Sequence, residues 1–343
     1  MNMPAPLDLS IIIVNWNSAE FVHRCISSIC KHATGLACEI IVIDNASFDG
    51  CDRMLRESDP EVRYIQSDTN LGFAKANNLA FESSRGNSLL FLNPDTEITG
   101  PAIATLYGEF SKLLAAGVVG ARLLNGDGTL QASCVQSFPT IINQVLDCEW
   151  LRRRWPKSAL WGIEPLYQEA VTVVEVEAIS GACMLIRREV FERVGRFSED
   201  YFMYTEDLDL CYKARKSGLK NYYIPGAAIV HFGGSSSKQA ASNFSCIMMR
   251  ESIWRFLCRT RGDFYGLGYR CAMLLSAVGR LGLLLLFFPV QTLRGRRQRW
   301  MGSFREWCAV LRWSVRLSAP VKNCGAVSTP RLNKCQVVGS AMK

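Results

Sequence analysis

The feature that most constrains this chain is a repeated unit: an apolar run that stops at a polar turn, followed by helical spacing. Residues 9–14 end at Asn15-Trp16-Asn17-Ser18, and a helical pattern starts near Ala19. Residues 39–43 form a second run ending at Asp44-Asn45-Ala46-Ser47, and residues 88–92 a third ending at Asn93-Pro94-Asp95. A weaker run lies at 62–66, with helical patterns at 73–83 and 103–115. Continuous apolar strands need cover on both faces, and helical crossovers join parallel neighbours. The pattern predicts an α/β fold with a mostly parallel central sheet flanked by helices. Ligands of such sheets bind outside the carboxyl ends of the strands. Asn15, Asp44 and Asp95 all fall at those ends, so residues far apart in sequence are expected on one rim.

At 343 residues the chain can bury one large core with an appendage, or two cores. Hydrophobic residues at 49% and charged residues at 20% exclude a disordered polymer. The 14 cysteines form no Cys-x-x-Cys pair and no Cys/His cluster at zinc spacing, so free thiols in a reducing cytoplasm are expected. Residues 1–6 have neither a basic start nor an apolar stretch, and no secretory leader is expected.

The net charge of +8 divides unevenly. Residues 1–240 carry 22 Lys/Arg against 28 Asp/Glu, whereas residues 241–343 carry 17 against 3. So basic a tail implies an anionic partner, and its apolar content favours a membrane surface over nucleic acid. Residues 244–261 read as an amphipathic helix. Residues 271–293 are apolar apart from Arg280, with Arg294, Arg296, Arg297 and Arg299 following. A bilayer core needs about 20 apolar helical residues. Arg280 and Pro289 interrupt such a span, so interfacial or re-entrant insertion is preferred over a crossing or a buried soluble helix. The expected organisation is a catalytic domain over 1–240, a membrane-associating helical region over 241–300 and a partly irregular tail over 301–343.

Each polar motif has a structural reading beside its chemical one. Asp44 can cap a turn or accept a hydrogen bond from a nucleobase or ribose. Asp95 follows a proline that stiffens the backbone, which suits a carboxylate aimed at a divalent ion; a plain turn is the alternative. Glu206, Asp207 and Asp209 open a probable helix, where acids favour the dipole. Three acids in four residues exceed what capping needs. Asp207 is the choice for removing a proton, with Glu206 and Asp209 orienting the loop or, for Asp209, pairing with Lys213. His231 ends a short apolar strand beside glycines, as a core residue or a metal ligand. Ser180-Gly181-Ala182 permits either close approach to a ligand or a tight strand crossing. The run Trp150–Trp155, with Arg152, Arg153 and Arg154, reads as solvated surface or as a grip for phosphate or lipid.

Taken in order, Ser10-Ile11-Ile12-Ile13-Val14-Asn15-Trp16-Asn17-Ser18, Ile41-Val42-Ile43-Asp44-Asn45-Ala46-Ser47, Asn70-Leu71-Gly72-Phe73-Ala74-Lys75-Ala76-Asn77-Asn78, Leu92-Asn93-Pro94-Asp95, Ser180-Gly181-Ala182 and Tyr204-Thr205-Glu206-Asp207-Leu208-Asp209-Leu210 resemble the inverting family 2 glycosyltransferases of GT-A fold. The likeness spans roughly residues 8–240, and its Asn-Trp-Asn, Asn-Leu-Gly-Phe and Asn-Pro-Asp segments look most like the rhamnosyltransferase-type branch that builds bacterial cell-surface polysaccharides. The resemblance implies a nucleotide-sugar site with Asn15 and Asp44 at the nucleotide, Asn93 near the ribose, and Asp95 and His231 on a divalent metal, Mg2+ or Mn2+. Asp207 would be the catalytic base, and Gly181, Glu206 and Asp209 would belong to the acceptor loop. It further implies a donor such as dTDP-rhamnose, an acceptor sugar often carried on a polyprenyl diphosphate, and work at the cytoplasmic face of the membrane. Asn93 stands where the wider family often has the first acid of Asp-x-Asp, which leaves the metal site one carboxylate short.

Two other readings fit the motifs less well. A non-catalytic nucleotide-sugar binder would have no need of Asp207. A nucleotidyltransferase would carry a glycine-rich phosphate loop where Asn15-Trp16-Asn17-Ser18 stands. Arg296-Arg297-Gln298-Arg299-Trp300 only imitates the Gln-x-x-Arg-Trp motif of processive synthases. Donor sugar, linkage and oligomeric state leave no mark in the sequence.

Overall fold

A computed structural model describes residues 7–33, 35–155, 158, 170–233, 242–289 and 297–316. Residues 234–237 of the run Gly233-Gly234-Ser235-Ser236-Ser237 therefore lie outside the described residues, as do Arg294, Arg296 and the tail beyond 316.

The N-terminal half alternates as expected: β1 (Leu9–Asn15), α1 (Ala19–His32), β2 (Cys38–Asn45), α2 (Cys51–Ser58), β3 (Arg63–Ser67), α3 (Gly72–Phe81) and β4 (Ser88–Leu92). Every residue of β1 and β4 is buried, so the runs fill both faces of the sheet. Next come β5 (Thr96–Ile98), α4 (Ala102–Lys112), β6 (Ala116–Leu124), β7 (Val135–Gln136), α5 (Ile141–Leu146) and α6 (Glu149–Arg154). The apolar run at 177–187 is cut in two by Ser180-Gly181-Ala182, giving β9 (Ala178–Ile179) and β10 (Cys183–Arg187), preceded by β8 (Val174–Val176). The elements α7 (Arg188–Arg193), α8 (Glu206–Lys216) and β11 (Lys220–His231) complete the sheet region.

The strand order is β3-β2-β1-β4-β10-β6-β11-β5, with β8 on β11 and β7 paired with β9 apart. The parallel expectation holds for β3, β2, β1 and β4, whereas beyond β4 the sheet is mixed. Strand β10 runs antiparallel to both β4 and β6, and β5 antiparallel to β11. A strand buried on both faces has no alternation from which to read its direction.

This topology builds the rim. In-register pairs Asn15↔Asp44 and Asp44↔Gln66 bring those residues to one edge. Because β10 is reversed, its first residue, Cys183, pairs with Leu92 at the end of β4. Ser180-Gly181-Ala182 therefore arrives beside Asn93, whose N–H donates to the Ala182 carbonyl at 3.0 Å. His231, at the end of β11, pairs with Thr96 and so stands next to Asp95.

Three long helices follow: α9 (Ser242–Arg261), α10 (Asp263–Leu286) and α11 (Arg297–Val315). They pack on the sheet region as well as on one another. Ser252 Oγ donates to the Met203 carbonyl at 2.9 Å, Phe256 stacks on Phe138, and Arg280 donates to the Val145 and Asp147 carbonyls. Helix α10 buries Gly266, Tyr269, Arg270, Met273 and Ala277, one helical stripe. Its other faces expose Phe264, Leu275, Val278, Leu283 and Leu286. It is long and apolar enough to cross a membrane, the one such helix among the described residues.

Candidate active site

At the rim, Asp95 Oδ1 lies 3.2 Å from His231 Nε2, and the Asn93 side-chain amide 3.3 Å from the same nitrogen. The opposite ring nitrogen, Nδ1, is 2.8 Å from Gln131 Oε1. Gln131 Nε2 donates to the His231 carbonyl at 2.8 Å, which fixes how that amide faces. Its oxygen can then only accept, so Nδ1 carries the ring proton. Nε2, which the Asn93 amide also reaches, and the Asp95 oxygen then stand side by side at the cavity. One hard oxygen and one imidazole nitrogen, oriented from behind, fit a divalent ion that completes its shell elsewhere. No group of three or more His, Cys, Asp or Glu side chains that could hold a metal occurs among the described residues. The sequence offered no signal for Gln131, which sits in a loop 100 residues from its partner.

The second half of the site is the start of α8. Tyr204 and Thr205 both have left-handed backbone, with φ of 71° and 72°, a conformation costing non-glycine residues about 1 kcal/mol or more each. This bend turns Glu206 and Asp207 inward. Asp207 Oδ2 accepts from the Gly181 N–H at 2.8 Å and from Gln136 Nε2 at 3.4 Å, and Oδ1 from the Leu208 N–H at 2.8 Å. Burial raises the Asp207 pKa from its ordinary value, and those three donors oppose the rise. Burial, with the Asp207 charge beside it, pushes Glu206 up to about 8. Glu206 Oε2 has no hydrogen-bond partner among the described residues. Both carboxyls are raised by burial, but Asp207 accepts three hydrogen bonds that favour its ionised form while Glu206 Oε2 accepts none, so of the two Asp207 is the better placed to accept a proton.

A cavity of about 730 Å³ joins the two halves. Asn93, Asp95, Gly181, Glu206, Asp207 and His231 all line it, along with Gln136 and Tyr204. Helix α9 contributes Cys246, Met249 and Arg250, and α11 contributes Glu306. Three sequence candidates are outside this lining. Asn15 is fully buried, its amide donating to Asp49 and its oxygen accepting from Ser18, so it ties β1 to α1. Asp44 accepts from the Ser47 and Phe48 N–H groups and the Tyr64 hydroxyl, holding the turn after β2. Asp209 is enclosed by Ser198, Tyr201 and Lys213, and Lys213 Nζ at 3.3 Å is the expected i+4 partner. It secures α8 from behind the cavity. All cysteines of the described residues are free, and Cys25, Cys51, Cys134, Cys183 and Cys211 are buried. Arg152 and Arg153 have side chains outside the described set, while Trp150 and Trp155 are exposed.

Comparison with known proteins places the chain in a family. The sequence model for "Glycosyl transferase family 2" matches residues 10–195, and that for "Glycosyl transferase family group 2" matches residues 161–332. An N-acetylglucosaminyl-diphospho-decaprenol L-rhamnosyltransferase of Mycobacterium tuberculosis is 28% identical over 309 residues, covering 85% of this chain and 96% of that protein. Rhamnosyltransferase WbbL of Escherichia coli is 26% identical over 201 residues, covering 55% of this chain and 71% of that one. Among solved structures, the mannosyltransferase PcManGT from Pyrobaculum calidifontis, in complex with GDP-Man and Mn2+, aligns at a TM-score of 0.56 with 15% identity. That alignment covers 91% of this chain and 87% of the other. The chain belongs to glycosyl transferase family 2: it is a glycosyltransferase of GT-A fold whose relatives include rhamnosyltransferases.

Proposed function

We propose that the protein transfers a sugar, rhamnose from dTDP-rhamnose, onto a saccharide carried on a polyprenyl diphosphate, at the cytoplasmic face of the membrane, in cell-surface polysaccharide synthesis. The observation that carries this reading is the shared cavity: Asp207 faces the same space as the Asp95–His231 pair. In this reading Asp95 and His231 hold a divalent ion, Mg2+ or Mn2+, against the donor's diphosphate. When bound, that ion offsets negative charge on the leaving nucleoside diphosphate. Asn93 lies beside the ribose. Asp44 and Asn15 shape the turns that receive the nucleotide, Asp44 with no side-chain oxygen left unbonded.

The chemistry assigned to this chain's own groups is a single displacement. Asp207 accepts the proton of the acceptor hydroxyl as that oxygen attacks the anomeric carbon. The bond to the diphosphate oxygen breaks, and configuration inverts. Gly181 N–H and Gln136 hold the carboxylate in place, and neutral Glu206 offers a proton to a sugar oxygen. Relatives of named rhamnosyltransferase activity favour the donor and the lipid-linked acceptor. The test is a screen of dTDP-, UDP- and GDP-sugars for transfer or donor hydrolysis, with Mn2+, Mg2+ or chelator. Turnover of dTDP-rhamnose above the others is expected. Preference for another donor would overturn the rhamnose assignment, and nucleotide binding without turnover would favour a non-catalytic binder.

A further inference from the structure

The cavity extends beyond the residues this reaction uses, into the wall formed by α9 and α11. There Arg250 presents a guanidinium with no ion pair among the described residues, and its buried Nε has no hydrogen-bond partner among them. Three other arginines of this helical layer are spent: Arg255 on Glu251 and the Asp200 carbonyl, Arg270 on the Trp313 and Arg316 carbonyls, Arg280 on the Val145 and Asp147 carbonyls. Arg250 has the face of Trp307, 5.8 Å away, the Cys246 thiol and Tyr269 hydroxyl nearby, and the charge of Asp147 at longer range. Glu306 is in the same wall, where its Oε1 accepts from Cys246 Sγ at 3.4 Å and it makes no ion pair with Arg250 among the described residues. With no carboxylate at ion-pair distance and a buried Nε left without a partner among the described residues, this guanidinium keeps donors for an incoming anion. Its planar fork suits phosphate oxygens.

Resting on the proposed transfer reaction, we infer that Arg250 holds the diphosphate of the lipid-linked acceptor. The donor's diphosphate is already assigned to the sheet rim, at Asp95 and His231. Arg250 comes instead from the helical layer that exposes the apolar row of α10, Leu275, Val278, Leu283 and Leu286 among it. A substrate with an anionic head and a hydrocarbon tail matches both features, and its sugar would extend along the cavity toward Asp207.

The test uses the full-length protein in detergent micelles with chelator present, so that no divalent ion draws phosphate to the rim. Farnesyl diphosphate, farnesol and inorganic pyrophosphate are titrated while tryptophan fluorescence is followed. Farnesyl diphosphate is expected to bind at least about tenfold more tightly than either of the others. Arg250→Gln should weaken it by about tenfold or more, and Arg250→Lys by less, with the melting temperature and Mn2+-dependent nucleotide affinity of both variants unchanged. Equal affinity in Arg250→Gln would overturn the assignment to Arg250. Pyrophosphate binding as tightly as the farnesyl ester would overturn the lipid-linked source and leave a free-phosphate site. These outcomes are separate from the transfer reading, which fails only if the native enzyme transfers sugar from no nucleotide donor.

Discussion

Glu206 is a carboxyl group kept neutral by its surroundings, and that has a consequence for stability. Its ordinary pKa is 4.5, and in the fold it rises to about 8. Between those values the folded chain keeps a proton that the unfolded chain releases. This group's contribution to stability is therefore fully present below about pH 4.5 and is lost as pH climbs through 8. Glu206→Gln stays neutral throughout. Its melting temperature is expected to change less between pH 5.5 and 8.5 than that of the native protein; parallel curves would remove Glu206 from this role. Gln131 acts at the other half of the site by fixing the tautomer of His231. Gln131→Leu should weaken Mn2+ binding, read by calorimetry in the presence of nucleoside diphosphate, by roughly 10–100-fold. Unchanged affinity would mean that the ring is oriented without it. Asp207, Asp95 and His231 were legible in the sequence because each is a polar residue at the end of an apolar strand or the start of a helix. Gln131 and Gln136 were not, since an amide in a loop carries no periodic signal.

Among the elements, α3 and the loop before α8 meet backbone to backbone. Gly72 has φ of +77°, and a Cβ there would fall 2.2 Å from the Phe202 carbonyl oxygen. That oxygen also accepts from the Phe73 N–H at 3.1 Å, so it cannot move aside freely. Gly72→Ala should cost about 2 kcal/mol or more in denaturant unfolding. The loss should fall on turnover more than on nucleotide affinity, because residues 202–205 lead directly into Glu206 and Asp207. An unchanged unfolding midpoint would contradict this packing. The first four parallel strands could be read from apolar runs alone. The reversal of β10 could not, and neither could β5, which is three residues long. Yet both decide the site: β10 delivers Gly181 to Asp207, and β5 sets His231 beside Asp95.

Across the whole molecule, the basic and apolar C-terminal third was visible in composition. Helix α9 followed from its spacing and α10 from its apolar run, although α10 begins at Asp263 rather than near 271. What composition could not reveal is that this third walls the cavity, because contacts such as Ser252 to Met203 join distant elements without leaving a local pattern. We propose that the exposed side of α10 rests on the membrane surface, with the lipid-linked acceptor reaching the cavity from there. Binding to phosphatidylglycerol vesicles should weaken as salt rises. The double change Leu283→Asp and Leu286→Asp should reduce vesicle binding at least about tenfold, roughly 1.4 kcal/mol, without lowering the melting temperature. Retained binding in that variant would place the contact elsewhere.

The account turns on one carboxylate, so the most direct measurement compares Asp207→Asn with the native enzyme for nucleoside diphosphate affinity and for sugar transfer in the same preparation. The expected result is affinity within about twofold of native, with turnover reduced by roughly 10²–10⁴-fold, the usual weight of a general base. Near-native transfer by Asp207→Asn would contradict it and require a different group in the cavity to take the proton.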